Sequence, residues 1–134
     1  MTRAGQRATL LKFVALVCSL AALSALLDPD RMATRLGMLL VGVNGYSQFY
    51  AIYVGVRLAT AGLALLAARH GDQPLLGDIT ALFVLAQPLG RLIAAFAIGL
   101  PQGLLLVLCG FEVLCGLALL ALRPSTLTPT PTPR

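Results

Sequence analysis

The sequence predicts an all-α fold: four transmembrane helices in an up-down-up-down bundle, with a short interfacial helix between spans one and two. Three observations carry this prediction. The chain is 58% hydrophobic and only 11% charged, against roughly 25% charged in ordinary soluble domains. Its mean hydropathy is +0.89. Its apolar residues gather into runs of the ~20 residues that a helix needs to cross a bilayer. At 134 residues the chain amounts to one domain, with too few charges to cover a surface in water.

The first span is read over 8–27, with Lys12 near enough to its end to snorkel. Arg3, Arg7 and Lys12 ahead of an apolar stretch with small residues near Ser24 and Ala25 also match a signal peptide. Here the segment is taken as a retained helix. The next apolar run, 36–68, holds one charge, Arg57, and as a single helix would be about 50 Å long, well beyond a ~30 Å hydrocarbon core. It must break, and Asn44-Gly45-Tyr46-Ser47 offers turn chemistry. The expectation is therefore an interfacial helix over 30–43 and a second span over 48–68, with Tyr46, Phe49, Tyr50 and Tyr53 as an aromatic belt.

His70 to Pro74 reads as a tight loop. The third span is placed at 79–99 with Asp78 near its N-cap. The fourth is placed at 102–122, with Pro101 suited to its first turn. The Thr-Pro repeats of 124–134 read as a disordered tail. Lys and Arg outside the core give the orientation. Arg3, Arg7, Lys12, Arg69, Arg123 and Arg134 fall on one side, Arg31 and Arg35 on the other, so both termini are expected in the cytoplasm.

The net charge of +5 comes from ten basic residues scattered singly along the chain, not from the clustered patch that nucleic acid requires. Nucleic acid is excluded as a partner. Cys18, Cys109 and Cys115 sit in apolar runs without metal-site or redox-pair spacing and read as small buried hydrophobes. No metal and no cofactor is expected, and no nucleophile–base pair suggests catalysis. His70 is a loop residue rather than a base.

Three charges remain inside the spans: Arg57, Arg91 and Glu112. Charges in hydrocarbon usually face the bundle interior or a cavity, and are paired. Counted from the same end of the bundle, all three lie roughly 12–15 Å deep at 1.5 Å per residue. Their neighbours at helical spacing are polar or small: Tyr50, Tyr53 and Thr60 with Arg57; Gln87, Pro88 and Ala94 with Arg91; Cys109, Cys115 and Gly116 with Glu112. Two readings follow. These residues are glue that fixes helix register, or they form a ligand site, because two arginines share one carboxylate and leave a surplus cation. The candidate site is Tyr50, Tyr53, Arg57, Gln87, Arg91 and Glu112, a cleft open toward the outer leaflet. Tyr50 and Tyr53 read alternatively as plain interface anchors. Gly55, Ala59 and Gly62 make a stripe of small residues on another face of the second span, read as packing within the monomer rather than as a dimer face.

From about residue 50 to 122 the chain resembles DUF4345, a family of small four-helix bacterial membrane proteins loosely related to DoxX-like proteins. The resemblance rests on Tyr53-Val54-Gly55-Val56-Arg57-Leu58-Ala59-Thr60-Ala61-Gly62-Leu63, Leu89-Gly90-Arg91-Leu92, Gly99-Leu100-Pro101, and Glu112 in the last helix. It implies a four-helix membrane domain in the bacterial inner membrane and no defined activity. In the family pattern the third helix ends in Asp-Gly-x-Pro; here Ile98 stands at the aspartate position, which leaves Glu112 as the acid available to Arg91. The functional expectation is a non-catalytic accessory or assembly subunit of a membrane complex, in contact with lipid and other subunits. The alternative is an intramembrane binder of a small amphiphile (quinone, lipid or isoprenoid). A DoxX-like redox subunit is the weakest reading, because no redox ligand is present.

Overall fold

A computed structural model describes residues 2–124, and the expected 125–134 part of the Thr-Pro tail lies outside the described residues. The described chain is all-helical. Helix α1 spans Arg3–Leu27, α2 spans Pro29–Arg35, α3 spans Gly42–Arg69, α4 spans Pro74–Ile98 and α5 spans Leu104–Ala121. All but α2 are long and apolar enough to cross a membrane, which makes this a multi-pass membrane protein. Helix α1 packs on α3, α3 on α4, and α4 on α5, while α5 touches α1 most sparingly. The four form an antiparallel ring that is loosest along the α1–α5 seam.

The long second apolar run does break, but not where the turn residues sit. Asn44 to Ser47 lie in the first turns of α3, where poor helix formers cost little, and Tyr46 pins that end by donating from its hydroxyl to Asp30 Oδ1 at 2.6 Å. The break falls at 36–41 instead. Helix α2 ends in a Schellman motif: Met38 N–H donates to Ala33 O and Gly37 N–H to Thr34 O, with Gly37 at φ +75°, a conformation glycine adopts without a Cβ penalty. The motif's hydrophobic contact is present too, since Met38 packs against a small core of Ala25, Ala33 and Phe49. Phe49 is therefore a core residue, not a member of the aromatic belt. The expected interfacial helix over 30–43 shortens accordingly to Pro29–Arg35.

The other boundaries shift for similar reasons. Helix α4 starts with Pro74 in its first turn, so Asp78 lies one turn inside it rather than at its cap. Helix α5 starts only after Gly103, at φ +60°, which leaves Pro101 outside. Within α3, Ala51–Val56 adopts π-helical geometry. Such segments are rare and tend to mark functional positions; this one leads directly into Arg57.

The main core joins Leu11, Val14, Ala15 and Cys18 of α1 to Ala61, Ala64 and Ala67 of α3, with Ala81, Val84, Cys115 and Leu119 from the other two helices. Alanines let α1 and α3 approach closely, as small residues do between membrane helices. Gly55, Ala59 and Gly62 are exposed instead. The small stripe expected to pack within the monomer faces outward, because the Ala61-Ala64-Ala67 face took that role. Gly116 carries the closest approach between α4 and α5: a Cβ there would lie 2.4 Å from Leu85 Cγ.

Candidate functional site

Arg57 on α3, Arg91 on α4 and Glu112 on α5 meet in the bundle interior. Arg57 Nη2 donates to Glu112 Oε1 at 2.7 Å, and Arg91 Nη1 donates to Glu112 Oε2. Each carboxylate oxygen takes one arginine, and the Glu112 side chain is only 5% exposed. The acid is thus fully engaged while the cluster keeps a net charge of +1. Arg57 Nε is buried with no hydrogen-bond acceptor, so one guanidinium donor of a desolvated cation is left over. Thr60, one turn on, is self-satisfied through its bond to Val56 O at 2.8 Å.

A cavity of about 50 Å³ lies beside this cluster. Arg57, Glu112 and Tyr53 line it, and α1 supplies Val14, Val17, Cys18 and Ala21. At the α2 end of the bundle a groove of about 420 Å³ runs between α1, α2 and the start of α5. Its apolar walls are Leu27, Leu36 and Leu104; Asp28, Arg31 and Arg35 form its polar rim. Ala21, Met32 and Leu108 belong to both spaces, so groove and cavity share a wall. On the far side of the cavity an edge-to-face pair, Phe13 and Phe111 at 5.9 Å between centroids, bridges α1 and α5.

The six residues singled out from sequence separate into groups. Tyr53, Arg57 and Glu112 share the cavity. Arg91 reaches Glu112 without lining that space. Tyr50 turns to Phe49, edge-on at 6.2 Å, while Tyr53 stacks on the same ring at 4.7 Å. Gln87 is half-buried on α4 and outside the cavity wall. The cavity is walled by α1 and α5 as well as by α3. The sequence offered no sign of α1, whose four wall residues are ordinary apolar or small side chains.

A second cluster was not anticipated at all. Arg7, placed from sequence among the charges outside the core, is 4% exposed and bonds Asp78 of α4 and the Pro74 carbonyl, the latter at 3.0 Å. Arg123 takes the other Asp78 oxygen at 2.9 Å. Gly77 makes room: a Cβ there would meet Arg7 Cζ at 2.7 Å. The available signal was an acid one turn into an apolar helix with a glycine before it.

No group of three or more His, Cys, Asp or Glu side chains among the described residues is arranged to hold a metal. No curated protein and no solved structure matches the chain, whereas the family described as "Domain of unknown function (DUF4345)" matches residues 7–122. The matched region takes in both arginine clusters except Arg123, and it covers every membrane-spanning helix almost entirely; the chain belongs to the DUF4345 family.

Proposed function

We propose that this protein is a membrane-embedded binder of a small amphiphile, taken up from the bilayer through the α1–α5 seam. The observation that carries the reading is the shared wall of Ala21, Met32 and Leu108 between an apolar groove and a charged cavity. Ligand sites of this kind are mostly apolar with a few convergent polar groups, and an intramembrane ionisable cluster is a functional candidate by default. The seam is where the ring of helices is loosest, so a chain can enter there without parting a tight interface. Tyr53, Arg57 and Glu112 face the ligand, and Arg91 holds Glu112 from behind.

The test is extraction and mass spectrometry of protein purified in mild detergent. About one amphiphile per chain is expected, and Leu108→Trp, which fills the shared wall, should abolish it. Bulk phospholipid alone, equal in both proteins, would contradict the reading.

An accessory or assembly subunit of a larger membrane complex is the second reading. It is favoured by the outward stripe of Gly55, Ala59 and Gly62, and a polypeptide co-purifying with the wild type but not with Ala59→Leu would support it. In either case we propose a bacterial inner-membrane location with both termini cytoplasmic, an orientation supported by Arg3, Lys12 and Arg69 lying at the opposite end from Arg31 and Arg35. Labelling of a cysteine at position 3 from outside the cell would reverse that orientation.

A further inference from the structure

The charge balance and dimensions of the site narrow the ligand's chemistry. Glu112 supplies a single negative charge to two arginines, each of its oxygens accepting from one of them. It is the only carboxylate paired with Arg57 or Arg91 among the described residues. The leftover is one positive charge and a buried Arg57 N–H without an acceptor, out of the five donors a guanidinium carries. A neutral head group supplies an acceptor but no charge, and a dianion overshoots. What completes the cluster is one monoanion.

Size gives the second limit. The cavity beside Arg57 is about 50 Å³, which at ~15–30 Å³ per water-sized group admits about two or three such groups. The three heavy atoms of a carboxylate fit. A phosphate ester, with five heavy atoms and a substituent, is the bulkier head and the less favoured one. The adjoining groove of about 420 Å³, walled by Leu27, Leu36, Leu104 and Leu108, suits one flexible hydrocarbon chain. Phe13 and Phe111 bridge α1 and α5, and the wall that the cavity shares with the groove is Ala21, Met32 and Leu108, so a chain running from one to the other has to displace the Met32 or Leu108 side chain.

We infer that the ligand is a single-chain aliphatic carboxylate, its head beside Arg57 and its tail in the groove between α1, α2 and α5. This rests on the amphiphile reading above and goes further by fixing head charge, head size and chain number. The bound carboxylate brings the cluster to two cations and two anions. A guanidinium–carboxylate contact in so dry a site is a strong charge-assisted interaction.

The experiment measures radiolabelled palmitate binding to delipidated, detergent-solubilised protein, with palmitol, lysophosphatidate and acetate as competitors. The expected result is saturation at one palmitate per chain, with palmitol and lysophosphatidate each competing at least tenfold more weakly and acetate not at all. Arg57→Met should erase the preference for palmitate over palmitol, while Arg123→Met should keep it. If Arg57→Met aggregates, Met32→Trp serves instead: it blocks the shared wall without removing charge and should abolish palmitate binding. Retained binding in that variant overturns the inference.

Equal competition by palmitol would overturn the anionic head and leave the amphiphile groove standing. Stronger competition by lysophosphatidate would replace carboxylate by phosphate, and competition by acetate as strong as palmitate's would leave an anion site with no tail. Failure of every long-chain compound to bind would remove the groove reading itself.

Discussion

Two carboxylates in this bundle are each held by two arginines, and they sit in different solvents. At the end that carries the N-terminus, Asp78 joins Arg7 and Arg123; in the interior, Glu112 joins Arg57 and Arg91. The stoichiometry is identical, and both clusters hold one cation too many. At the end, Arg123 is 57% exposed and Asp78 21%, so water reaches the extra charge through Arg123, although Arg7 itself is 4% exposed and its Nε, like that of Arg57, is buried without an acceptor. In the interior both arginines are at most 14% exposed and water is scarce. The same motif therefore has one water-exposed arginine at the end and none in the interior. On the proposed reading, the access of water to one arginine, not composition, separates a structural cluster from a binding site.

This contrast predicts an ordered series of effects. Glu112→Ala should be the most damaging change, about 3–5 kcal/mol, because it leaves two buried guanidiniums without their acid. Reversible unfolding in mixed micelles would measure it, and a loss below about 1 kcal/mol would mean that the interior cluster is well hydrated. Asp78→Ala should be milder, about 1–3 kcal/mol, since only Arg7 is stranded while Arg123 turns to water. Equal losses at the two acids would erase the distinction between the clusters.

Next come changes of similar or smaller size, the first of which tests the packing that brings the charges together. Gly116→Val should cost about 1–3 kcal/mol by forcing Leu85 and α4 away from α5, and it should weaken palmitate binding by displacing Arg91 and Glu112 together. A neutral result in both assays would show that Leu85 simply moves aside. Arg123→Ala, which removes an exposed partner, should cost less than about 1 kcal/mol, with its effect shrinking further as salt is added.

The interior cluster was legible in the sequence because three charges in apolar helices at similar depth have few other places to go. Its cavity was less so. Val14, Val17, Cys18 and Ala21 look like any lipid-facing or core residues, and nothing local says that α1, rather than the α3–α4 face, closes the site. The break after the first span shows the opposite failure. Asn44-Gly45-Tyr46-Ser47 looked decisive, yet turn residues are tolerated in the first turns of a helix, while Thr34-Arg35-Leu36-Gly37-Met38 held a complete C-terminal capping signal. Arg7 and Asp78 are 71 residues apart, and pairing at that separation is set by tertiary packing that local pattern does not encode. The π-helical segment before Arg57 has no evident marker beyond the weak α propensity of Ile52, Val54, Gly55 and Val56.

The smallest expected effect is also the most informative. Arg57→Met removes the surplus charge and leaves Arg91 and Glu112 as a balanced pair, so no charge is stranded and the desolvation of a cation with an unpartnered donor is relieved. The decisive measurement is the unfolding free energy of ligand-free wild type and ligand-free Arg57→Met under identical micelle conditions. An unbalanced cluster predicts that the variant is at least as stable as the wild type, and that added palmitate stabilises the wild type alone. A variant less stable by more than about 2 kcal/mol, with palmitate changing neither protein, would show that Arg57 is structural glue and that the interior cluster is complete without a ligand.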